Sequence, residues 1–145
     1  MTLKTIFHLD TTERWPHLAS NLDNYLAAEP DADIEVLVNG DGITVFFDQK
    51  VAAFIAAHPQ VHFFACHNSL QQRHLDETKL PAGVPVVPVG VVKLAQAEAA
   101  GYGYIKPTNC QIKCNFLPKK TSDGVFQTKT LRGRLFKSLT NFAIS

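Results

Sequence analysis

The sequence predicts an α/β fold built on a parallel sheet with helices on both faces. Short apolar runs alternate with segments of helical period from residue 3 to residue 105, and that alternation is the pattern of strand-helix-strand units. Gly, Pro and Asn-Gly signals fall between the runs, where such units need their turns. The chain of 145 residues, 46% hydrophobic and 19% charged, suffices for one core that buries roughly 70% of the unfolded surface.

Leu3 to Leu9 reads as the first strand. Asp10-Thr11-Thr12-Glu13 has the form of a capping box. Pro16 suits a first helical turn, and Leu18, Leu22, Tyr25 and Leu26 recur at helical spacing, so a helix runs to about Ala28, before Pro30. Asp33 to Val38 is the second strand, closed by the turn Asn39-Gly40-Asp41-Gly42. Val45, Phe46, Val51, Phe54 and Ile55 then predict a helix from Ile43 to about Ala57, although Ile43 to Phe47 has a strand-like composition; Pro59 forces the exit. Val61 to Cys66 is strand three, followed by a short helix from Asn68 to about Leu75. Strand four covers Val84 to Val89, and its Pro85 and Pro88 mark it as frayed or near an edge. Val91 to Ala100 is helical with Gly101 as terminator, and Tyr102 to Ile105 is the fifth strand, ended by Pro107.

The formal net charge of +1 conceals an asymmetry. Residues 1 to 107 hold 7 Lys and Arg against 12 Asp and Glu, a balance of −5, and residues 108 to 145 hold 7 against 1, a balance of +6. Residues 1 to 107 are therefore expected to be one α/β domain and residues 108 to 145 a basic extension. The extension lacks the alternation of the body, apart from a weak helical pattern in Leu131, Leu135, Phe136 and Leu139. Three readings of it stand: disordered, a helical arm docked on a neighbouring subunit, or a non-native segment appended after a natural stop.

No apolar stretch approaches the roughly 20 residues that cross a bilayer, and the N-terminus has no secretory signal pattern. Cysteines at 66, 110 and 114 are too few for a disulfide framework, so a reducing, cytoplasmic setting is expected, with Cys110 and Cys114 able to pair under oxidising conditions. Charge on the extension can attract nucleic acid, but no stacking module or recognised fold accompanies it, and a nucleic-acid partner is not expected.

Several segments together resemble the DsrE/DsrF-like family of small sulfur-relay-type proteins: Phe7-His8-Leu9-Asp10, Glu13-Arg14-Trp15, Val38-Asn39-Gly40, Ala65-Cys66-His67-Asn68-Ser69-Leu70 and Gly101-Tyr102-Gly103-Tyr104-Ile105-Lys106-Pro107. The resemblance spans residues 1 to 107. It implies a flavodoxin-like, three-layer α/β/α fold with a five-stranded parallel sheet and self-association into trimers, hexamers or related oligomers. It also implies, in the sulfur-transferring members, a persulfide-bearing cysteine, and Cys66 is the position that matches. Sulfur-relay proteins commonly act with a partner protein or a second reactive cysteine. The body here offers only Cys66, so a donor or acceptor protein is the implied partner.

Ligands of open parallel sheets bind beyond the carboxyl ends of the strands. His8 and Asp10, Asn39 and Gly40, Cys66 to Ser69, and Gly90 all fall at such ends and should converge on one edge. Cys66 closes strand three where a helix begins, a place where free backbone N–H groups favour the thiolate, with His67 or His8 available as base or stabilising cation. The other reading of Cys66 is a small buried hydrophobe that ends a core strand. Asn39 and Gly40 suit either an anion cradle or a plain turn, and Asn68, Ser69 and Gly90 complete the candidate ligand-binding set. Six histidines raise a metal reading, with Cys66, His67 and His74 the nearest set and His58 and His62 upstream. Tight ligand pairs such as Cys-x2-Cys or His-x3-His are not read in the body, and neither metal nor cofactor is expected. Trp15, Phe46, Phe54, Phe63 and Phe64 belong to the core or to a subunit interface.

Two functions follow as expectations. One is a homo-oligomeric carrier or transferase of sulfane sulfur working through Cys66. The other is a non-catalytic binding or assembly module with an inert Cys66.

Overall fold

One parallel sheet organises the computed structural model, which describes residues 2–108. Its strands are β1 (Lys4–Leu9), β2 (Asp33–Val38), β3 (Val61–Cys66), β4 (Val86–Val87) and β5 (Gly103–Ile105), in the order β4-β3-β2-β1-β5. Between them lie α1 (Trp15–Ala28), α2 (Gln49–Ala57), α3 (His67–Gln72) and α4 (Gly90–Ala99). The α/β class and the five-stranded parallel sheet expected from the sequence are both present. The expectations for the basic extension, including Cys110 and Cys114, fall on residues 109–145 and lie outside the described residues.

The strand order dictates where the helices go. From β1 to β4 every crossover steps the same way across the sheet, and a parallel crossover is right-handed, so these connections share one face. The β4 to β5 connection returns to the opposite edge, which places α4 on the other face. Side-chain burial agrees. Phe7, Leu9, Ile34, Val36, Val38, Val61, Phe63 and Ala65 form the larger core with Leu18 and Leu22 of α1, Val51 and Ile55 of α2 and Leu70 of α3. Ile6 and Leu37 point the opposite way and pack with Leu94 and Ala97 of α4. Alternation along each strand sorts the residues between the faces, and burial of each large aliphatic side chain contributes about 1.5–3 kcal/mol.

The second face is the more polar. Register places Ile6 beside Glu35 and Glu35 beside His62, and likewise His8 beside Leu37 and Leu37 beside Phe64. Lys93 of α4 reaches down to this face. Its Nζ donates to Glu35 Oε1 at 2.8 Å and stands 4.3 Å from the centre of the Phe64 ring. Leu94, Ala97 and this ion pair fix α4 on the sheet and so fix Gly90 at its start.

The local structure departs from the sequence reading in three places. Gly40–Phe47 is a 3-10 segment rather than the beginning of a helix. Its glycines tuck beneath the loop after β1, where Gly42 N–H donates to the Asp10 carbonyl at 3.0 Å, and α2 starts at the true N-cap, Asp48, whose side chain accepts from Lys50 N–H at 2.8 Å. No capping box forms at Asp10 to Glu13. Asp10 instead accepts from Arg14 at 2.9 Å and from Lys106 at 2.5 Å, and a short 3-10 turn, Thr12–Arg14, precedes α1. Finally, β4 contracts to two residues at the sheet edge, because Pro85 and Pro88 on either side cannot donate to the ladder. Trp15, Phe46, Phe54 and Phe63 all join the larger core, with Trp15 and Phe54 edge to face at 5.4 Å between centroids.

Candidate functional site

Where β3 and β4 end, their connections part. Leu70 carries α3 into the larger core, and Leu94 carries α4 onto the opposite face. Such a divergence opens a crevice at the carboxyl edge of a parallel sheet. Cys66, the last residue of β3, and Gly90, the first residue of α4, meet there. Cys66 aligns with Val87 across the ladder and is 5% exposed.

Neutral donors surround the thiol. Gly90 N–H donates to its sulfur at 3.2 Å. Cys66 is also the N-cap of α3, so Asn68 and Ser69 occupy positions whose N–H groups lack helical partners, although neither forms a cap hydrogen bond to the sulfur. Burial by itself pushes the Cys66 thiol up. The Ser69 hydroxyl, then the N–H groups of Ser69, Gly90 and Asn68, outweigh it and hold the thiol below its ordinary value. Of these contacts, the Gly90 N–H is the one that meets hydrogen-bond geometry. With six residues, α3 is too short for its dipole to matter much, so individual donors carry the effect.

Gly90 is required by close approach. A Cβ there would lie 3.2 Å from Cys66 Cβ, 3.2 Å from Leu37 Cδ2 and 3.3 Å from the sulfur. Gly40 is required by conformation. Its φ is +53°, and a Cβ would stand 2.8 Å from the Asp10 carbonyl oxygen. That turn presents the Gly40 N–H to Ser69 Oγ at 3.0 Å. Asn39 N–H donates to the Leu9 carbonyl at 3.0 Å. The amides of Asn39 and Gly40 are thus engaged by the protein itself, as in a plain turn.

The histidines have other partners than the thiol. His8 is 9% exposed; its Nε2–H donates to Asn39 Oδ1 at 2.9 Å and its Nδ1 is hydrogen-bonded to the Tyr104 hydroxyl at 2.7 Å. His67 turns outward to Glu77. Neither ring bonds to Cys66. His62 shares the Cys66 face and is exposed on it. His58 and His62 do stand at a His-x3-His spacing, which the sequence reading passed over, but His58 is bound to the Phe54 carbonyl at 2.8 Å and to Asp23 at 3.0 Å. Among the described residues no three His, Cys, Asp or Glu side chains come together as a metal site.

The candidates therefore gather into one edge with two centres. Cys66, Asn68, Ser69 and Gly90 form the thiol crevice. His8, Asn39 and Tyr104 form a polar row beside it, and Gly40 bridges the two through Ser69. The hydroxyl of Ser69 and the part of Tyr104 are new to the structure. A Ser three residues after an N-cap was a readable signal for the first, whereas Tyr104 lies 96 positions from His8 and gave none. Asp10, beyond β1, is drawn into the ion pairs with Arg14 and Lys106. Burial raises its carboxyl, but the Lys106 hydrogen bond and charge, followed by the charge of Arg14, bring it below the usual carboxylate range.

Among the described residues no helix is long and apolar enough to cross a membrane. A hollow of about 280 Å³ bounded by Phe46, Asp48, Lys79 and Pro81 is lined by none of the candidate residues.

No family model matches the chain, and no curated protein matches it. Among solved structures it is similar to MTH1491 from Methanobacterium thermoautotrophicum, a protein of unknown function, with 30% identity and a TM-score of 0.68, over 72% of this chain and 99% of that one. It is also similar to the YchN protein from E. coli at 14% identity and a TM-score of 0.59, again over 72% and 99% of the two chains. The second likeness shows a shared DsrE-like fold.

Proposed function

We propose, from the premise that this chain belongs to the family of MTH1491 and has a DsrE/YchN-like fold, that it is a single-cysteine carrier of sulfane sulfur. The observation that carries this reading is the Cys66 sulfur at the carboxyl ends of β3 and β4, where the Gly90 N–H donates to it at 3.2 Å. A thiolate is the reactive form of cysteine, and donors that favour it make attack on a sulfur centre faster near neutral pH.

The transfer balances without an added oxidant or reductant. Cys66 thiolate attacks the terminal sulfur of a donor persulfide. A new S–S bond forms at Cys66, the donor S–S bond breaks, and its electron pair leaves on the donor thiolate while the proton stays on the transferred sulfur. An acceptor thiolate then repeats the exchange and restores Cys66. Neutral N–H and O–H donors suit this cycle because they stabilise the anion without a fixed cation that would hold it permanently. A donor or acceptor protein, and a trimeric or hexameric assembly of this chain, belong to the same proposal. Val91 and Val92, 61% and 49% exposed beside Gly90, support a protein surface meeting this edge.

A second reading has one observation in its favour. Cys66 is 5% exposed, as expected of an inert packing residue in a binding or assembly module. Intact mass after incubation of the full chain with a sulfane-sulfur donor separates the two. The carrier gains one sulfur atom, loses it to an added thiol, and gains none at this position in Cys66→Ser. An unmodified chain, or an adduct that persists in Cys66→Ser, supports the module.

A further inference from the structure

With His8 as the neutral ring, the hydrogen bonds along the carboxyl edge run in one direction. Asn39 Oδ1 can only accept, so His8 Nε2 carries the proton of that 2.9 Å bond. In the neutral ring Nδ1 is then an acceptor, and the Tyr104 hydroxyl donates to it at 2.7 Å. Asn39 leads directly into Gly40, whose φ of +53° aims its N–H at Ser69 Oγ, 3.0 Å away. Ser69 Oγ accepts there, which leaves the hydroxyl its own proton to donate, and Ser69 stands three residues after Cys66, in the first turn of the helix that Cys66 caps. The chain of contacts begins on β5, crosses β1, passes the end of β2 and reaches α3.

From this we propose that Tyr104, His8 and Asn39 are positioning residues that hold the Asn39-Gly40 turn so that Ser69 presents its hydroxyl to Cys66. The row touches neither the sulfur nor any substrate, and it acts through the turn. Its members are well placed to hold geometry. His8 is 9% exposed with both ring nitrogens satisfied, and the Gly40 backbone fits against the Asp10 carbonyl with no room for a side chain. The row ends on the Asn39 side chain, so removing one of its members loosens the anchor of the turn, and the effect reaches Ser69 through the backbone of Asn39 and Gly40. The edge strand β5, whose residues are otherwise exposed, thereby gains a role in the thiol site.

The proposal rests on Cys66 being the working group, yet its test reads the thiol and not sulfur transfer. The rate of alkylation of Cys66 by an uncharged reagent is measured across pH, with labelling at Cys66 read by peptide mass, for the wild type and for Ser69→Ala, Tyr104→Phe, His8→Leu and His8→Gln. Ser69→Ala moves the midpoint upward, slowing alkylation by about tenfold below it, the equivalent of one pKa unit. Tyr104→Phe and His8→Leu move it the same way by a smaller amount, about two- to threefold in rate. His8→Gln, whose amide can take the place of Nε2, stays near the wild type. Tyr104→Phe removes a single oxygen from a partly exposed side chain, so it keeps the test alive should His8→Leu fail to fold. Unchanged profiles for Tyr104→Phe and His8→Leu together with a shifted Ser69→Ala would end the proposal at Ser69. An unshifted Ser69→Ala would overturn it entirely. A wild type that takes up no sulfur refutes the carrier reading instead, whatever these profiles show.

Discussion

Gly90 N–H donates to the sulfur of Cys66 at 3.2 Å, joining the first turn of α4 to the last residue of β3. A side chain at residue 90 would crowd this contact, with its Cβ 3.2 Å from Cys66 Cβ. The contact makes the placement of one helix a determinant of the state of one thiol.

Gly90→Ala puts a methyl group 3.2 Å from Cys66 Cβ and Leu37 Cδ2 and 3.3 Å from the sulfur. All three neighbours belong to the packed sheet, so α4 must shift outward. We expect a loss of stability on the order of 1–3 kcal/mol, as for other overpacked cores, together with slower alkylation of Cys66 at neutral pH as the N–H withdraws. Urea unfolding and the alkylation rate measured on the same variant check both.

Lys93 and Glu35 supply the polar half of the α4 attachment, with Nζ 2.8 Å from Oε1 and 2.7 Å from Oε2. Removing the cation strands a carboxylate that is 9% exposed. Lys93→Met should therefore cost on the order of 3 kcal/mol, and the double variant Lys93→Met/Glu35→Leu should recover most of the loss because no buried charge remains. Denaturant midpoints of the two single variants and the double variant form the cycle that tests this.

Tyr102 donates to Asp33 Oδ2 at 2.6 Å, and that hydrogen bond, helped by burial and by the charges of Asp33 and Glu35, pushes its phenol up to about 12. The folded chain thus holds this proton more tightly than the unfolded chain, where tyrosine titrates near 10. Its contribution to stability is whole below about pH 10 and disappears as pH rises to about 12. Chemical denaturation at several alkaline pH values should show a decline through this window that is shallower in Tyr102→Phe.

Legibility in the sequence followed the range of the interactions. β1, β2 and β3 could be read because their alternating or continuous apolar runs are local, and Cys66 stood out because a strand-to-helix handover is a local event too. Pro85 and Pro88 likewise announced a short edge strand. The Asp48 cap was present in the sequence but hidden by apolar residues from Ile43 to Phe47, which suggested helix where close contact with the Asp10 loop imposes a 3-10 turn. What could not be read was distant. Lys106 takes Asp10 from the capping box, Tyr104 takes His8 away from the thiol, and Glu77 takes His67. Each partner is set by the order of strands or by the path of a loop, and no spacing along the chain encodes that choice.

The most direct measurement of the central claim is the ultraviolet absorbance of thiolate as a function of pH, taken as the difference between the wild type and Cys66→Ser. An anion held by Gly90 and Ser69 gives a titration midpoint below the ordinary cysteine value of about 8.5. A midpoint at or above that value, or no thiolate signal assignable to Cys66, would contradict the account.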